Sequence, residues 1–524
     1  MSAKDQKDRL RILILGFYSA GIIVGGGILA LPFVAIDTGS IMLVLLLIAF
    51  ACVFYVIYTR MLDSISAYLK EISKIKPGLI LYDEGLRRSG LRLYGHLAFT
   101  LGILLYVIPA DIVYILYGLK SLIQLASYIS YEQSFLVLMI GIILFALTVV
   151  FFVRLRRMII YKNATSYEFF LKLLLMISLW IITIGILKFV FTNSVVEIIL
   201  GSLAFTVSLI IGEFFPEKFW KMYISLPINE DILPTHKVGA YMSAFKLVLI
   251  TLTPILAFII ISMRGALSTS MPIFPRTLQS LVAAIAIIVF MYVGSGVYNI
   301  LVYNWIVSDL KKGRIATLIA ILLSLTAYLV FSLTILFSVD ASILFMSNMN
   351  REHAFIALAR KLELIGITQL GFLVIVLANI FALVSVSVAF LGFTDTLSDR
   401  LELDLGMSRS PLWVIIAVLV TLIVIGLEVF DVTRIAADAL GIAGNAGGGL
   451  FILILPWLMK DSKGKRRIGV ALMFLILVTV LNIFMILNSI TFVAWLSSLI
   501  ATILVLIFGS LVLIEAIRAD KKRT

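Results

Sequence analysis

The chain is a succession of long apolar runs cut by short polar stretches. Runs of about 20 apolar residues predict helices at 11–36, 40–62, 97–124, 133–153, 167–192, 195–215, 241–263, 278–303, 314–338, 368–394, 411–428, 435–459, 468–489 and 491–516. A helix of that length spans a hydrocarbon layer of roughly 30 Å. The pattern therefore predicts an all-α polytopic membrane protein with about 14 spans.

Two spans share an interruption. The stretch "IVGGGILALP" (23–32) has a counterpart in "YVGSGVYNIL" (292–301), both reading V-G-[G/S]-G-[I/V], and Gly25 and Gly294 stand 269 residues apart. The same offset carries the starts of the third and fifth spans close to 368 and 435, with larger drift at the second and fourth. The first span and the span at 278–303 cross in opposite directions, so the recurrence predicts inverted units of five helices. The expected divisions are a first unit at 1–193, an inserted two-helix hairpin at 194–265, a second unit at 278–460, and two C-terminal helices with a basic tail at 461–524.

Composition agrees with a membrane solvent: 62% of residues are hydrophobic and 14% charged. The net charge of +13 is placed unevenly. Alternate loops read "RLRRMIIYK", "SDLKKGR" and "KDSKGKRR", and the tail reads "RADKKRT". Such asymmetry predicts both termini in the cytoplasm of a multi-pass cell-membrane protein. The leader "MSAKDQKDRLR" is expected to be retained there. The basic excess concerns orientation and anionic lipid rather than nucleic acid. The one cysteine, Cys52, excludes an intramolecular disulfide and Cys-based metal sites, and His96, His236 and His353 fall at or beyond span ends. No phosphate-binding G-x-x-x-x-G-K-[ST] loop occurs. Neither an enzyme nor an ATP-driven pump is expected, and no cofactor or metal.

Glycine in a helix costs about 1 kcal/mol relative to alanine, and unpaired backbone in hydrocarbon costs several more. Three consecutive glycines at mid-membrane therefore predict either a close-packing face or a helix opened onto a cavity. If opened, Gly25, Gly26 and Gly27 present N–H groups to a carboxylate at the start of a half-helix. Gly294, Ser295 and Gly296, running the other way, would offer carbonyls to an ammonium or cation. Tyr292 and Tyr298 flank the second motif, to shape a side-chain pocket or simply to pack. Asp111, in "YVIPADIVYILYG", is a candidate proton carrier or amine contact; the other reading is a carboxyl that stabilises the bend after Pro109. Lys172 could stand in for a coupling cation, or snorkel. Lys188 and Lys246 are expected to snorkel or pair. The cluster Glu428, Asp431, Arg434 and Asp438 is expected in a solvated loop, and the glycines of "GIAGNAGGGL" at helix contacts.

The run "VGGGILALPFVAIDTG" resembles the first span of the amino acid and auxin permeases and the hydroxy and aromatic amino acid permeases of the amino acid-polyamine-organocation superfamily. "FALVSVSVAFLGFTDTLSDRLELD" resembles that group's eighth span, "ALGIAGNAGGGLFILILPWLMK" its tenth, and "YNWIVSDLKKGRIATLIAILLSLTAYLVF" its sixth-to-seventh connection. The hairpin at 195–263 has no counterpart. The resemblance implies a leucine-transporter-like fold with discontinuous first helices in both units, importing amino acids by alternating access with protons or sodium. Gly25–Gly27 and Gly294–Gly296 then match the unwound segments. The family's eighth span often carries Thr-Ser where this chain has Val388 and Ala389, which disfavours sodium unless Ser385 or Ser387 compensates. Proton coupling is the expectation. The alternative is a ligand-sensing receptor subunit on the same fold, binding amino acids without transport.

Overall fold

The computed structural model describes residues 3–69, 78–159, 165–190, 194–214, 234–268, 272–306, 310–350, 352–429, 435–488 and 492–521. Among them every regular element is a helix, and ten helices are long and apolar enough to cross a membrane. The other four predicted spans correspond to shorter apolar stretches, Ile12–Gly21 with Gly27–Thr38, Leu174–Lys188, Val195–Ile211 and Ser280–Val293. The chain is an all-α polytopic membrane protein.

The first crossing is divided into α1 (Ala3–Ile23), a 3-10 turn (Gly26–Ala30) and α2 (Leu31–Thr38). There follow α3 (Ser40–Leu69), the short α4 (Gly78–Arg88), α5 (Tyr94–Ser127), α6 (Tyr131–Ile159) and α7 (Thr165–Val190). The interposed pair is α8 (Ser194–Phe214) and α9 (Pro234–Met263). A second series then runs α10 (Leu278–Ile306), α11 (Leu310–Ser338), the short α12 (Ala341–Met349) and α13 (Ala354–Leu364), α14 (Thr368–Leu405) and α15 (Arg409–Val429). It ends in α16 (Ile435–Ile442), which continues through a π-helix (Ala443–Ile454) into α17 (Leu455–Leu458). The last two helices are α18 (Ile468–Asn488) and α19 (Phe492–Lys521). In each series short helical structure separates the second crossing from the third.

Elements matched by the sequence offset lie antiparallel. Thr100, near the start of α5, donates to Asp404 at the end of α14 (2.7 Å), while Asn379, in the first half of α14, donates to Gln124 near the end of α5 (2.9 Å). Thr38 at the end of α2 donates to the carbonyl of Ser280 near the start of α10 (3.0 Å).

Depth in the bundle follows side-chain size. An apolar 18-residue stretch of 439–458 is wholly buried, against 61% of the corresponding stretch of 94–127 and 17% of that of 131–150, so the glycine-rich π-helix and α5 are central while α6 faces lipid. Glycine is what allows that centre to close. A Cβ on Gly444 would lie 2.4 Å from the carbonyl oxygen of Ala286 on α10, and one on Gly447 would lie 2.4 Å from the backbone nitrogen of Tyr106 on α5. The expected packing role of these glycines is what the structure shows.

Polar clasps tie the basic end together. Arg60 pairs with Asp461 (2.8 Å) and donates to the carbonyls of Met459 and Lys465. Glu515 of α19 accepts three backbone N–H groups, from Arg92, Leu93 and Gly95, each at 3.0 Å. These are donors that the start of α5 leaves without intrahelical acceptors. Buried Arg400 is held by Asp83 (3.1 Å) and Asp404 (3.2 Å) and lies over the Phe99 ring. Outside the spans, on α4, Glu84 takes hydrogen bonds from Arg87 and Arg88, which lower its carboxyl to about 2.

Candidate functional site

The interruption predicted in the first crossing is present. α1 stops at Ile23, Gly25 is extended (φ −88°, ψ −163°), and the chain re-enters helical form as a 3-10 turn from Gly26. The N–H of Gly25 turns back to the carbonyl of Ile23 (2.8 Å), and that of Ile28 reaches the carbonyl of Gly25 (3.4 Å). Gly26 and Gly27, the first positions of the turn, have N–H groups without an acceptor inside it. Pro32 fits at the beginning of α2, where the N–H it lacks is not needed.

The carbonyls freed on the other side of the break have partners from elsewhere. Tyr328 of α11 donates to the carbonyl of Ile23 (2.8 Å) and lies 3.3 Å from that of Met291 on α10. Lys246 of α9 donates to the carbonyl of Gly21 (3.1 Å). Lys246 is 8% exposed, so of the two expectations for it, snorkelling or pairing, snorkelling is not what occurs: its ammonium is turned inward to a carbonyl at the end of α1.

The second interruption is not found. α10 is helical from Leu278 to Ile306, through Gly294, Ser295 and Gly296. The physical difference between the two motifs is legible. Three glycines and a following proline open the first, whereas the second has a serine between two glycines and no proline. Closing it costs roughly 1 kcal/mol per glycine, less than leaving backbone groups unpaired in hydrocarbon. The two motifs are nevertheless neighbours, since a Cβ on Gly27 would lie about 3 Å from side-chain atoms of Phe290 and Met291.

The turn of α10 before Gly294 is ringed by phenols. Tyr106 of α5 donates to the carbonyl of Phe290 (3.2 Å), Tyr328 reaches that of Met291, and Tyr58 of α3 donates to that of Tyr292. By helix geometry these three carbonyls accept from the N–H groups of Gly294, Ser295 and Gly296. The bonds of Tyr58 and Tyr328 are reciprocal. Tyr292 stands 269 residues after Ile23 and Tyr328 stands 270 after Tyr58, so the second crossing of each series clasps the first crossing of the other, just before its glycines.

No protein-family model matches the chain, and no curated protein is significantly similar to it.

Asp111 is completely buried on α5. Its Oδ2 accepts from Thr394 of α14 (3.0 Å), and its Oδ1 has no hydrogen-bond partner among the described residues. It is linked to the break through aromatic rings: Phe393, beside Thr394, contacts both Tyr114 and Tyr106, and Tyr106 lies against Phe290 (5.3 Å between centroids). Ser385 and Ser387 of α14 are buried, with hydroxyls likewise unpartnered among the described residues. Tyr292 is buried, donates to the carbonyl of Leu47 (3.1 Å) and stacks on Phe54. The side chains of Gly294–Gly296, Tyr298 and Lys172 lie outside the described residues.

At the end opposite the basic loops, cations are neutralised pairwise: Lys120 by Glu428 (2.9 Å), Arg360 by Glu352 (2.5 Å) and Lys361 by Asp340 (2.7 Å). Glu428, expected in a solvated loop, is 5% exposed because Lys120 draws it inward. Asp431 and Arg434 lie outside the described residues, as does the side chain of Asp438. A cavity of about 740 Å³ lies at the first two of these pairs, lined by Lys120, Tyr128, Ile198, Glu352, Arg360 and Glu428. His353, which precedes α13, is buried beside it, with Nε2 3.0 Å from the Ser121 hydroxyl and burial lowering its pKa to about 3.

Proposed function

We propose that the chain is a secondary active transporter that imports amino acids by alternating access, coupled to protons. The reading places it in the cell membrane with both termini cytoplasmic and gives it a leucine-transporter-like inverted repeat of two five-helix units. The observation that carries it is the reciprocal tyrosine clasp around a broken first crossing. A pseudo-twofold arrangement of antiparallel units, meeting at an interrupted helix, is the arrangement on which rocking-type transport is built. The N–H groups of Gly26 and Gly27, without acceptors inside the turn, suit a carboxylate at the positive end of a short helix.

In this reading α10 is the element that changes. Its three carbonyls before Gly294 already have phenol partners, so opening the helix at Gly294–Gly296 would strand fewer acceptors than in an ordinary helix. Opened, the turn would present carbonyls to the substrate ammonium. Asp111, buried with one oxygen unpartnered among the described residues and connected by rings to α10, is the proton carrier. The basic loops supply the orientation, cytoplasmic where positive charge accumulates.

The test is uptake of radiolabelled amino acids into proteoliposomes holding the purified chain, with and without a pH gradient and with and without sodium. Accumulation driven by the pH gradient supports the proposal. The continuous α10 favours a second reading, a ligand-sensing subunit that binds without moving solute. Saturable amino acid binding with no accumulation under any gradient would decide for that one.

A further inference from the structure

At the basic end one imidazole stands between two carboxylates. His96, in the first turn of α5, has Nδ1 2.7 Å from Asp83 of α4 and Nε2 2.8 Å from Asp404 at the end of α14. A neutral imidazole has one N–H and one lone pair, whereas an imidazolium has two N–H groups. Of the ring's two forms, only the imidazolium donates to both carboxylates. With one proton fewer, a bare nitrogen faces a carboxylate oxygen, lone pair against lone pair.

The charges around the ring ask for the same proton. Facing it are Asp83 from α4 and Arg400 and Asp404 from α14, while Thr100, one turn along α5, donates to Asp404 (2.7 Å) and accepts from Arg400 Nε (2.8 Å). Other acidic groups nearby are matched elsewhere: Glu84 of α4 by Arg87 and Arg88, and Glu515 of α19 by the N–H groups that open α5. Two carboxylates against one guanidinium leave one negative charge over, and Arg400 is completely buried, where an unmatched charge is costly. A proton on His96 closes the balance. The His96 side chain is 35% exposed, so water can deliver that proton.

Arg400 gives the site two arrangements. Its Nη2 lies 2.9 Å from Nδ1 and 2.8 Å from Nε2 of His96, and its two terminal nitrogens also reach Asp83 (3.1 Å) and Asp404 (3.2 Å). While the ring carries both protons it has no lone pair to offer, and the guanidinium serves the carboxylates alone. When one proton leaves, the bared nitrogen becomes an acceptor and competes for Nη2. The contacts given up are those that join α4 and the end of α14 to α5.

We propose that Asp83, His96, Arg400 and Asp404 form a proton-binding site, in which a proton on His96 ties α4 and α14 to opposite edges of one ring and its departure loosens that end of the bundle. α14 also carries Thr394, the partner of Asp111, ten residues before Asp404, so the helix released at its end is the one that holds the buried carboxyl. A part in coupling rests on the transport reading; the proton and its mechanical effect do not.

The chain has three histidines, so ring-labelling with nitrogen-15 and solid-state NMR in lipid bilayers can resolve them, and the signal lost in His96→Gln is that of His96. Titrated from about pH 5 to about pH 9, His96 is expected to bind its second proton about tenfold more tightly in wild type than in Asp83→Asn or Asp404→Asn. Each of these substitutions keeps the side-chain shape and removes one negative charge. Size-exclusion profiles report on folding, and either variant suffices should the other fail. Proton affinity that stays within twofold of wild type in the folded variants would overturn the proposal, as would a ring that remains singly protonated across the range. Deuterium exchange read by mass spectrometry follows the mechanical effect. Corrected for the intrinsic dependence of exchange on pH, protection of 78–88 and 398–405 should fall about fivefold between about pH 6 and about pH 8.5 in wild type and stay level in His96→Gln. Equal falls in the two proteins would refute the loosening. Neither readout involves substrate, so a failure of amino acid uptake would count against transport and leave this site to be decided by its own titration.

Discussion

Tyr328→Phe removes one hydroxyl and leaves the ring, whose edge contact with Tyr292 (5.4 Å between centroids) is kept. Among the described residues the carbonyl of Ile23 then retains the turned-back N–H of Gly25, and that of Met291 its helix partner. Buried hydrogen bonds between membrane helices contribute about 0.6–1.7 kcal/mol each. The substitution should therefore favour opening of the break by about 1 kcal/mol, which is roughly a fivefold change in the opening equilibrium. Val24, fully buried beside Gly25, supplies the reporter. With Cys52→Ser as background, a thiol at Val24→Cys reacts with a maleimide only when the segment opens, so its rate follows the open fraction. Tyr328→Phe should raise that rate about fivefold, and Tyr58→Phe, the reciprocal position, should raise it comparably through α10. Tyr82→Phe, whose hydroxyl serves the carbonyl of Phe451 (2.8 Å) instead, is the control and should leave the rate alone. Rates within twofold of the parent for both clasp variants would refute the reasoning.

Other outcomes follow from single contacts. Asp111→Asn keeps an acceptor for Thr394 but removes the exchangeable carboxyl proton, so the pH dependence of uptake should flatten; an unchanged profile would remove Asp111 as proton carrier. Gly447→Ala would press a methyl to within 2.4 Å of backbone on α5 and should cost about 1–3 kcal/mol or more, read as a lower melting temperature in detergent. Gly426→Ala, with nothing within 4 Å, should be neutral or stabilising by up to about 1 kcal/mol. His353 is held neutral by burial, with its pKa lowered from 6.5 to about 3, so between those values the unfolded chain takes up a proton that the folded chain refuses. Its contribution is complete above about pH 6.5 and is lost as pH falls toward 3, by at most about 4–5 kcal/mol. His353→Gln should therefore lessen the drop in melting temperature between pH 7 and pH 4.5.

Much of the architecture can be read from apolar run length alone, because the bilayer imposes one length on every crossing. The break at Gly25 was legible for the same reason, since three glycines before Pro32 conflict with any continuous helix. The state of Gly294–Gly296 was not, because a motif with fewer glycines is balanced between open and closed by its neighbours, and the phenols beside it come from three other helices. Two of those phenols could have been found: Tyr58 and Tyr328 recur at nearly the offset that relates the glycine runs. Lys246 was harder. Position along α9 reveals its depth but not the side that faces α1, although Gly21 and Ser243, both small, are the kind of residues that mark a close crossing. Glu428 shows the opposite error, since nearness to a polar turn suggested water while Lys120, on a different helix, determined its surroundings.

The carboxylate of Glu515 that completes the start of α5 is made more than 400 residues after the N–H groups it accepts. The third crossing is thus inserted long before its cap exists, and its first turn must wait on the membrane surface until α19 emerges. A chain lacking α19 would keep that end frayed, so the order in which the helices emerge decides when the start of α5 can settle.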